Sequence, residues 1–440
     1  MGQTAPARPN FLPRLNLSQP RRLESVFVQA ILRTVMTLPG TRQSEPSARL
    51  PGRRLLIAAS LLTTTVFLIA AGASIPRVPI LGAIGTVFES IFSLHLVIAG
   101  FVGLVLAVAA WRRGAGSAAV AATAFAVVAI VGATIPLLSM VRAARFYGAD
   151  ISWIDHLQAI ARFSAQPPNQ TVLYGMVGEK KLYADVYLPA NPPAGKSAPV
   201  LVMHGGGFIH GHRSMMRVWD RWFTARGYTV FDIDYRLAPP PTWNQAAQDG
   251  ACAMAWIAAH ADTYQVNADR MLLAGQSAGA GLALQIAYGL GDGTVRSSCG
   301  GTVPQPKAVF ALYPPDDFAL GWNMRARLGP SSARTFLKAY IGGSPEDFPD
   351  RYQAVSAIFH ARPGLPPTLI AAGRPDHLVP FEGHLELVEK LNRAGVPNEL
   401  IAIPYSEHAY DVVWGSLGGQ ITRNVLEQFL NEYLPAMEPR

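Results

Sequence analysis

Three long stretches without a single Asp, Glu, Lys or Arg constrain this 440-residue chain more than any other feature. They cover residues 55–75, 90–110 and 118–141. Each has the length of about 20 residues that a helix needs to cross roughly 30 Å of hydrocarbon. A buried helix of a water-soluble domain keeps a polar face, and these do not. The chain is therefore expected to carry a three-helix transmembrane region (55–141), after a basic arm (1–54) and before a linker (142–168) and a second folded domain (169–440).

Charge gives the spans a direction. Nine arginines face only Glu24 and Glu45 between residues 1 and 54, so nearly all of the net +8 lies in the arm. The short loop between spans two and three carries Arg112 and Arg113, and the loop between spans one and two carries Arg77 with Glu89. Positive residues stay on the cytoplasmic side. The N-terminus is thus expected in the cytoplasm and everything after the third span on the outer side; Arg142 and Arg145 run against this. The arm is read as facing anionic lipid, not nucleic acid. Its Leu23, Val26, Phe27, Ile31 and Val35 share helical spacing and suit a membrane surface. His95, at the start of span two, is read as structural.

Beyond residue 168 the pattern changes to short β-branched runs alternating with helical stretches, which implies a mostly parallel sheet covered on both faces. Two motifs fall where such runs end. His204-Gly205-Gly206-Gly207-Phe208 follows 200–203, and Gly275-Gln276-Ser277-Ala278-Gly279 follows 270–274. In sheets of this kind active residues lie beyond the carboxyl ends of strands. G-x-S-x-G on a strand-to-helix turn lifts a serine hydroxyl into the open. Glycines at 205 and 206 let backbone N–H groups approach a substrate closely. Gly205, Gly206 and Ala278 are accordingly the candidate oxyanion donors, and His204 braces their loop.

A serine hydroxyl needs a base oriented by an acid. The expected chain order is Ser, then Asp or Glu, then His. Of the four histidines after Ser277, only His408 follows the last expected strand, 399–403. Asp376 lies in the loop after the preceding one, 368–372. Ser277, Asp376 and His408 are the candidate catalytic residues. Asp316 and Asp317 come one strand too early, and Asp411 reads as a helix cap. There is no metal-binding cysteine or histidine spacing. Cys252 reads as a buried free thiol, a disulfide to Cys299 being the alternative in an oxidising compartment.

From about residue 182 to 434 the chain resembles the hormone-sensitive-lipase-like and acetyl-esterase-like carboxylesterases of the α/β-hydrolase superfamily. The resemblance rests on Asp185-Val-Tyr-Leu-Pro189, the two glycine motifs, Asp234-Tyr-Arg-Leu-Ala-Pro239, Asp376 and His408. It implies an α/β-hydrolase fold and ester hydrolysis through an acyl-enzyme, without metal or cofactor. Gln276 departs from the Asp usual before the serine, and Ala280 from the Gly usual after the second elbow glycine. The substrate expected is a small-molecule or lipid ester, of short to medium chain or linked to the cell envelope, since no long apolar lid insert is present. The residues 315–363 are expected to supply part of the pocket wall. Aromatics near the motifs, among them Trp219, Trp222, Tyr313 and Trp414, are read mostly as core. A serine peptidase of the prolyl-oligopeptidase type shares the elbow and triad, but the HGGG loop favours an esterase. A non-catalytic adhesion or receptor protein on the same scaffold would be expected to lack a triad member.

Overall fold

The computed structural model describes residues 50–78, 80–159, 167–324 and 332–436. The apolar stripe at residues 23–35 and most of the basic arm lie outside the described residues.

The three uncharged stretches form helices α1 (Leu50–Ser74), α2 (Leu81–Arg112) and α3 (Ser117–Phe146). All three are long and apolar enough to cross a membrane. Leu61, Val105, Val120 and Val131 point outward on them, while alanine and glycine fill the seams. Small residues let helix backbones approach closely. At the α1–α2 crossing a Cβ on Gly85 would lie 2.2 Å from the Ala73 nitrogen, so only glycine fits.

Helix α2 is longer than the expected 90–110. It starts at Leu81 and loses helical backbone geometry at Phe92. Glu89, expected in the loop, lies instead inside α2 and is buried. The bend leaves the Leu94 N–H to be taken up by His156 Nε2, 3.4 Å away. His156 sits on the short helix α4 (Trp153–Leu157), and its Nδ1 donates to the Gly415 carbonyl at 3.1 Å. Burial lowers its pKa to about 4, which keeps the ring neutral and able to accept at Nε2. His95 packs edge-on against the same ring. Helix α2 is thereby tied to α4 and to the turn at Gly415.

The chain from Gln170 onward is built on one eight-stranded sheet. Its strands are β1 (Gln170–Val177), β2 (Lys180–Tyr187), β3 (Pro199–Met203), β4 (Thr229–Ile233), β5 (Leu272–Gln276), β6 (Ala308–Leu312), β7 (Thr368–Gly373) and β8 (Asn398–Ile403). The order is β1-β2-β4-β3-β5-β6-β7-β8. β1 and β2 pair antiparallel with each other and β2 antiparallel with β4; all later neighbours are parallel. Strands β3 to β6 are buried along their whole length, as expected for a sheet covered on both faces. The helices that follow α4 are α5 (Arg217–Thr224), α6 (Ala246–Ala259), α7 (Ala278–Asp292), α8 (Phe318–Asn323), α9 (Ala333–Ile341), α10 (Pro349–Val355) and α11 (Phe381–Arg393); α6 and α7 pack together beside β1, β3, β5 and β6. Helix α12 (Leu417–Tyr433), which closes the described chain, touches β7 and β8 and also α2 and α3.

The two cysteines are bonded. Cys252 of α6 and Cys299 form a disulfide, with Cα atoms 5.4 Å apart. This corrects the free-thiol reading. The turn carrying Cys299 is drawn onto α6 by Ser298, whose N–H donates to the Gln248 carbonyl and whose hydroxyl donates to Asp249. Sequence spacing across 47 residues gives no sign of that docking.

Candidate active site

Strand β5 ends at Gln276, and α7 starts at Ala278. Ser277 between them has φ 51°, a left-handed value rare for a side chain and typical of strain held at functional turns. The flanking glycines are required by backbone contacts. A Cβ on Gly275 would meet the Gly279 carbonyl at 2.3 Å, and one on Gly279 would meet the Met203 carbonyl at 2.1 Å. The turn is thus pressed against the end of β3.

The Ser277 hydroxyl lies 2.9 Å from His408 Nε2, and His408 Nδ1 lies 2.7 Å from Asp376 Oδ2. Asp376 Oδ1 accepts from the N–H groups of Leu378 and Val379, which fixes the carboxylate. Because Nδ1 faces a carboxylate, it carries the proton and Nε2 is free to accept. Burial pushes His408 toward its neutral form. Asp376, by charge and hydrogen bond, together with the charges of Glu407 and Asp411 outweighs this and raises its pKa. The three candidate catalytic residues come from the ends of β5, β7 and β8 and meet in one hydrogen-bonded relay.

The other late histidines have different partners. His384 is fully buried and bonds Asp316 at 2.6 Å. His360 bonds Asp292, and His377 bonds Glu407 and the Pro76 carbonyl. Asp411 is not a helix cap. Ser416 caps α12. Asp411 is instead buried and accepts from Trp219 Nε1 at 2.7 Å, Gln276 Nε2 at 3.0 Å and the Tyr313 hydroxyl at 2.6 Å. Three converging donors satisfy a buried carboxylate far better than a helix end does.

Of the candidate oxyanion residues, Ala278 lines a cleft together with Ser277. Gly205 backs onto Ser277: a Cβ there would lie 3.4 Å from the serine Cβ. Gly206 has φ 118°, and its carbonyl accepts from the His210 N–H. His204 Nδ1 donates to the Gly205 carbonyl at 2.7 Å, and its ring stacks on Tyr235. Burial lowers its pKa to about 4, so it stays a neutral brace.

The cleft holds a space of about 440 Å³, part of it open to solvent. Phe208, Phe318, Phe336, Leu337 and Val379 line it, and seven of its lining residues lie between 315 and 337, inside the segment expected to supply part of the wall. Phe208 stacks on Tyr340 with ring centroids 3.8 Å apart. Trp219, Trp222 and Tyr313 are core residues. The segments carrying the resemblance hold the frame. Arg213 bridges Asp185 and Asp234, Arg236 bridges to Asp249, and the Ala238 N–H donates to the Phe208 carbonyl.

The chain is 37% identical over 244 residues to an acetyl esterase of Salmonella schwarzengrund, an overlap of 52% of this chain and 70% of that protein. The BD-FAE family model matches residues 184–391. This chain belongs to the hormone-sensitive-lipase-like and acetyl-esterase-like carboxylesterase family. Esterase LipC of Mycobacterium tuberculosis is 29% identical over 268 residues, which cover 59% of this chain and 64% of LipC. The chain thus spans somewhat under two thirds of that relative. Esterase 2 of Thermogutta terrifontis, in a form phosphonylated by sarin, superposes with a TM-score of 0.51 at 23% identity, over 62% of this chain and 99% of that one. That likeness shows the α/β-hydrolase fold. Of the two departures from the family pattern, Gln276 bonds Asp411, and Ala280 is buried in α7.

Two residues at the site had no sequence signal. Glu407 stands out only as the neighbour of His408, and Thr86 lies in α2, remote in sequence and outside the expected second span. Both are buried and hydrogen-bonded to each other.

Proposed function

We propose that this chain is a membrane-anchored serine carboxylesterase acting through an acyl-enzyme. The observation that carries this is the Ser277–His408–Asp376 relay opening on an apolar cleft. His408 Nε2 takes the hydroxyl proton as Ser277 Oγ attacks the ester carbonyl. Asp376 holds the ring and its charge. N–H groups of Gly205, Gly206 and Ala278 stabilise the oxyanion. The proton on His408 then passes to the leaving alcohol. Water, deprotonated by the same ring, releases the acid and restores Ser277.

The substrates are esters of short to medium acyl chain, including envelope-linked ones, since Phe208, Phe318 and Phe336 bound a small cleft. The three spans cross the membrane with the arm and the Arg112-Arg113 loop in the cytoplasm and the hydrolase portion outside. The arginine distribution supports this, and so does the Cys252–Cys299 disulfide, a bond kept in oxidising compartments.

Full-length protein is expected to hydrolyse p-nitrophenyl butyrate and to lose roughly 10³-fold or more in kcat as Ser277→Ala. Retained activity in that variant rejects the reading. A membrane-impermeant fluorophosphonate should label the parent on intact cells; labelling only after lysis reverses the orientation.

A further inference from the structure

The loops carrying Asp376 and His408 are clamped by one carboxylate, that of Glu407. Its Oε1 accepts the backbone N–H of His377 at 2.7 Å and the backbone N–H of His408 at 3.0 Å. Its Oε2 accepts the hydroxyl of Thr86 at 2.6 Å and bonds His377 Nδ1. His377 Nε2 in turn donates to the carbonyl of Pro76 at 2.6 Å. Pro76 and Thr86 belong to the α1–α2 hairpin, outside the hydrolase domain by sequence. The two loops are also in direct contact: a Cβ on Gly373 would meet the Ser406 carbonyl at 2.0 Å.

The geometry couples these groups. The two oxygens of a carboxylate are rigidly joined, so fixing Oε2 on Thr86 fixes where Oε1 holds the amides beside Asp376 and of His408. Thr86 and Glu407 are both buried, so water does not readily replace a lost hydroxyl. Triad geometry is sensitive to small displacements, with about 1 Å costing up to roughly 10²-fold.

We propose that the α1–α2 hairpin is part of the site: Thr86, acting through Glu407, positions the loops that carry the acid and the base. Thr86 and Glu407 are positioning residues and touch no substrate. The transmembrane region then does more than anchor, since it holds the active arrangement together. This inference rests on the serine-hydrolase reading above.

The test uses full-length protein in detergent micelles with p-nitrophenyl butyrate, and Ser277→Ala as the blank. Thr86→Val keeps the shape and removes the hydroxyl. It is expected to lower kcat roughly tenfold with KM within about twofold, because the apolar cleft is untouched. Thr86→Ser restores the hydroxyl and should return kcat to within about twofold of the parent. A merely structural role lowers the yield or unfolding temperature of Thr86→Val and leaves kcat per folded site unchanged; that result overturns the proposal, as does a serine variant no better than valine. If Thr86→Val fails to fold, Glu407→Gln is read the same way: unchanged kcat overturns the proposal and a lowered kcat at constant KM supports it. Full activity in Ser277→Ala would instead remove the reading beneath it.

Discussion

Gln276 Nε2 donates to Asp411 Oδ2 at 3.0 Å, joining the residue before the candidate nucleophile to a carboxylate three residues beyond the candidate base. The resemblance leads one to expect an aspartate at 276. Here that side chain would face a second buried carboxylate already held by Trp219 and Tyr313. Restoring the family residue as Gln276→Asp should therefore harm this protein. A loss of about 2–3 kcal/mol in stability is expected from one broken bond and a close like charge. Chemical unfolding near neutral pH measures it. An Asp variant as stable as the parent would show that Asp411 tolerates the charge.

The pH dependence follows from His408. Catalysis needs the neutral ring; burial lowers its pKa, but Asp376, Glu407 and Asp411 together raise the folded value above the ordinary 6.5. Activity is lost as pH falls through that raised value, so the acid limb of kcat/KM should have its midpoint above 6.5. The stability sign is opposite: the charged ring contributes stability fully below the unfolded pKa, and this is lost as pH rises through the folded one. Asp376→Asn should move the limb to lower pH and cut kcat roughly 10⁴-fold. A pH–rate profile on both proteins decides; an unmoved limb separates His408 from the rate.

The disulfide closes a loop of 47 residues. Chain entropy alone makes such a closure worth about 4 kcal/mol, and strain or residual unfolded structure reduces that. The double variant Cys252→Ala with Cys299→Ala should unfold at lower denaturant by about 2–4 kcal/mol and keep its esterase activity while folded, since α6 lies away from the cleft lining. Equal unfolding midpoints would show the bond to be dispensable.

Phe336 packs on the glycine motif, where a Cβ on Gly207 would lie 2.6 Å from its ring, and it also lines the cleft. Phe336→Ala should lengthen the acyl site. On a panel of p-nitrophenyl esters, kcat/KM should rise about fourfold for each further methylene buried, from roughly 0.8 kcal/mol per methylene. An unchanged chain-length profile would place the acyl chain elsewhere.

What the sequence determined by itself is local. Absence of charge over 20-residue stretches leaves few choices but long apolar helices, because backbone and side chains must both suit hydrocarbon. Ser277 was legible because a strand-to-helix turn this tight tolerates only glycine on either side, and Asp376 and His408 because sheet topology fixes the order in which strand ends arrive. Tertiary structure alone decided how distant side chains pair. Asp411 has the look of a cap until Trp219, Gln276 and Tyr313 converge on it. Cys252 looks like an isolated thiol until Ser298 brings Cys299 onto α6. Thr86 falls in the expected loop between spans one and two until the structure places it in α2 and Glu407 reaches it across 321 positions. Each is a buried group whose partner no periodicity or spacing encodes, and only the folded chain brings that partner within bonding reach.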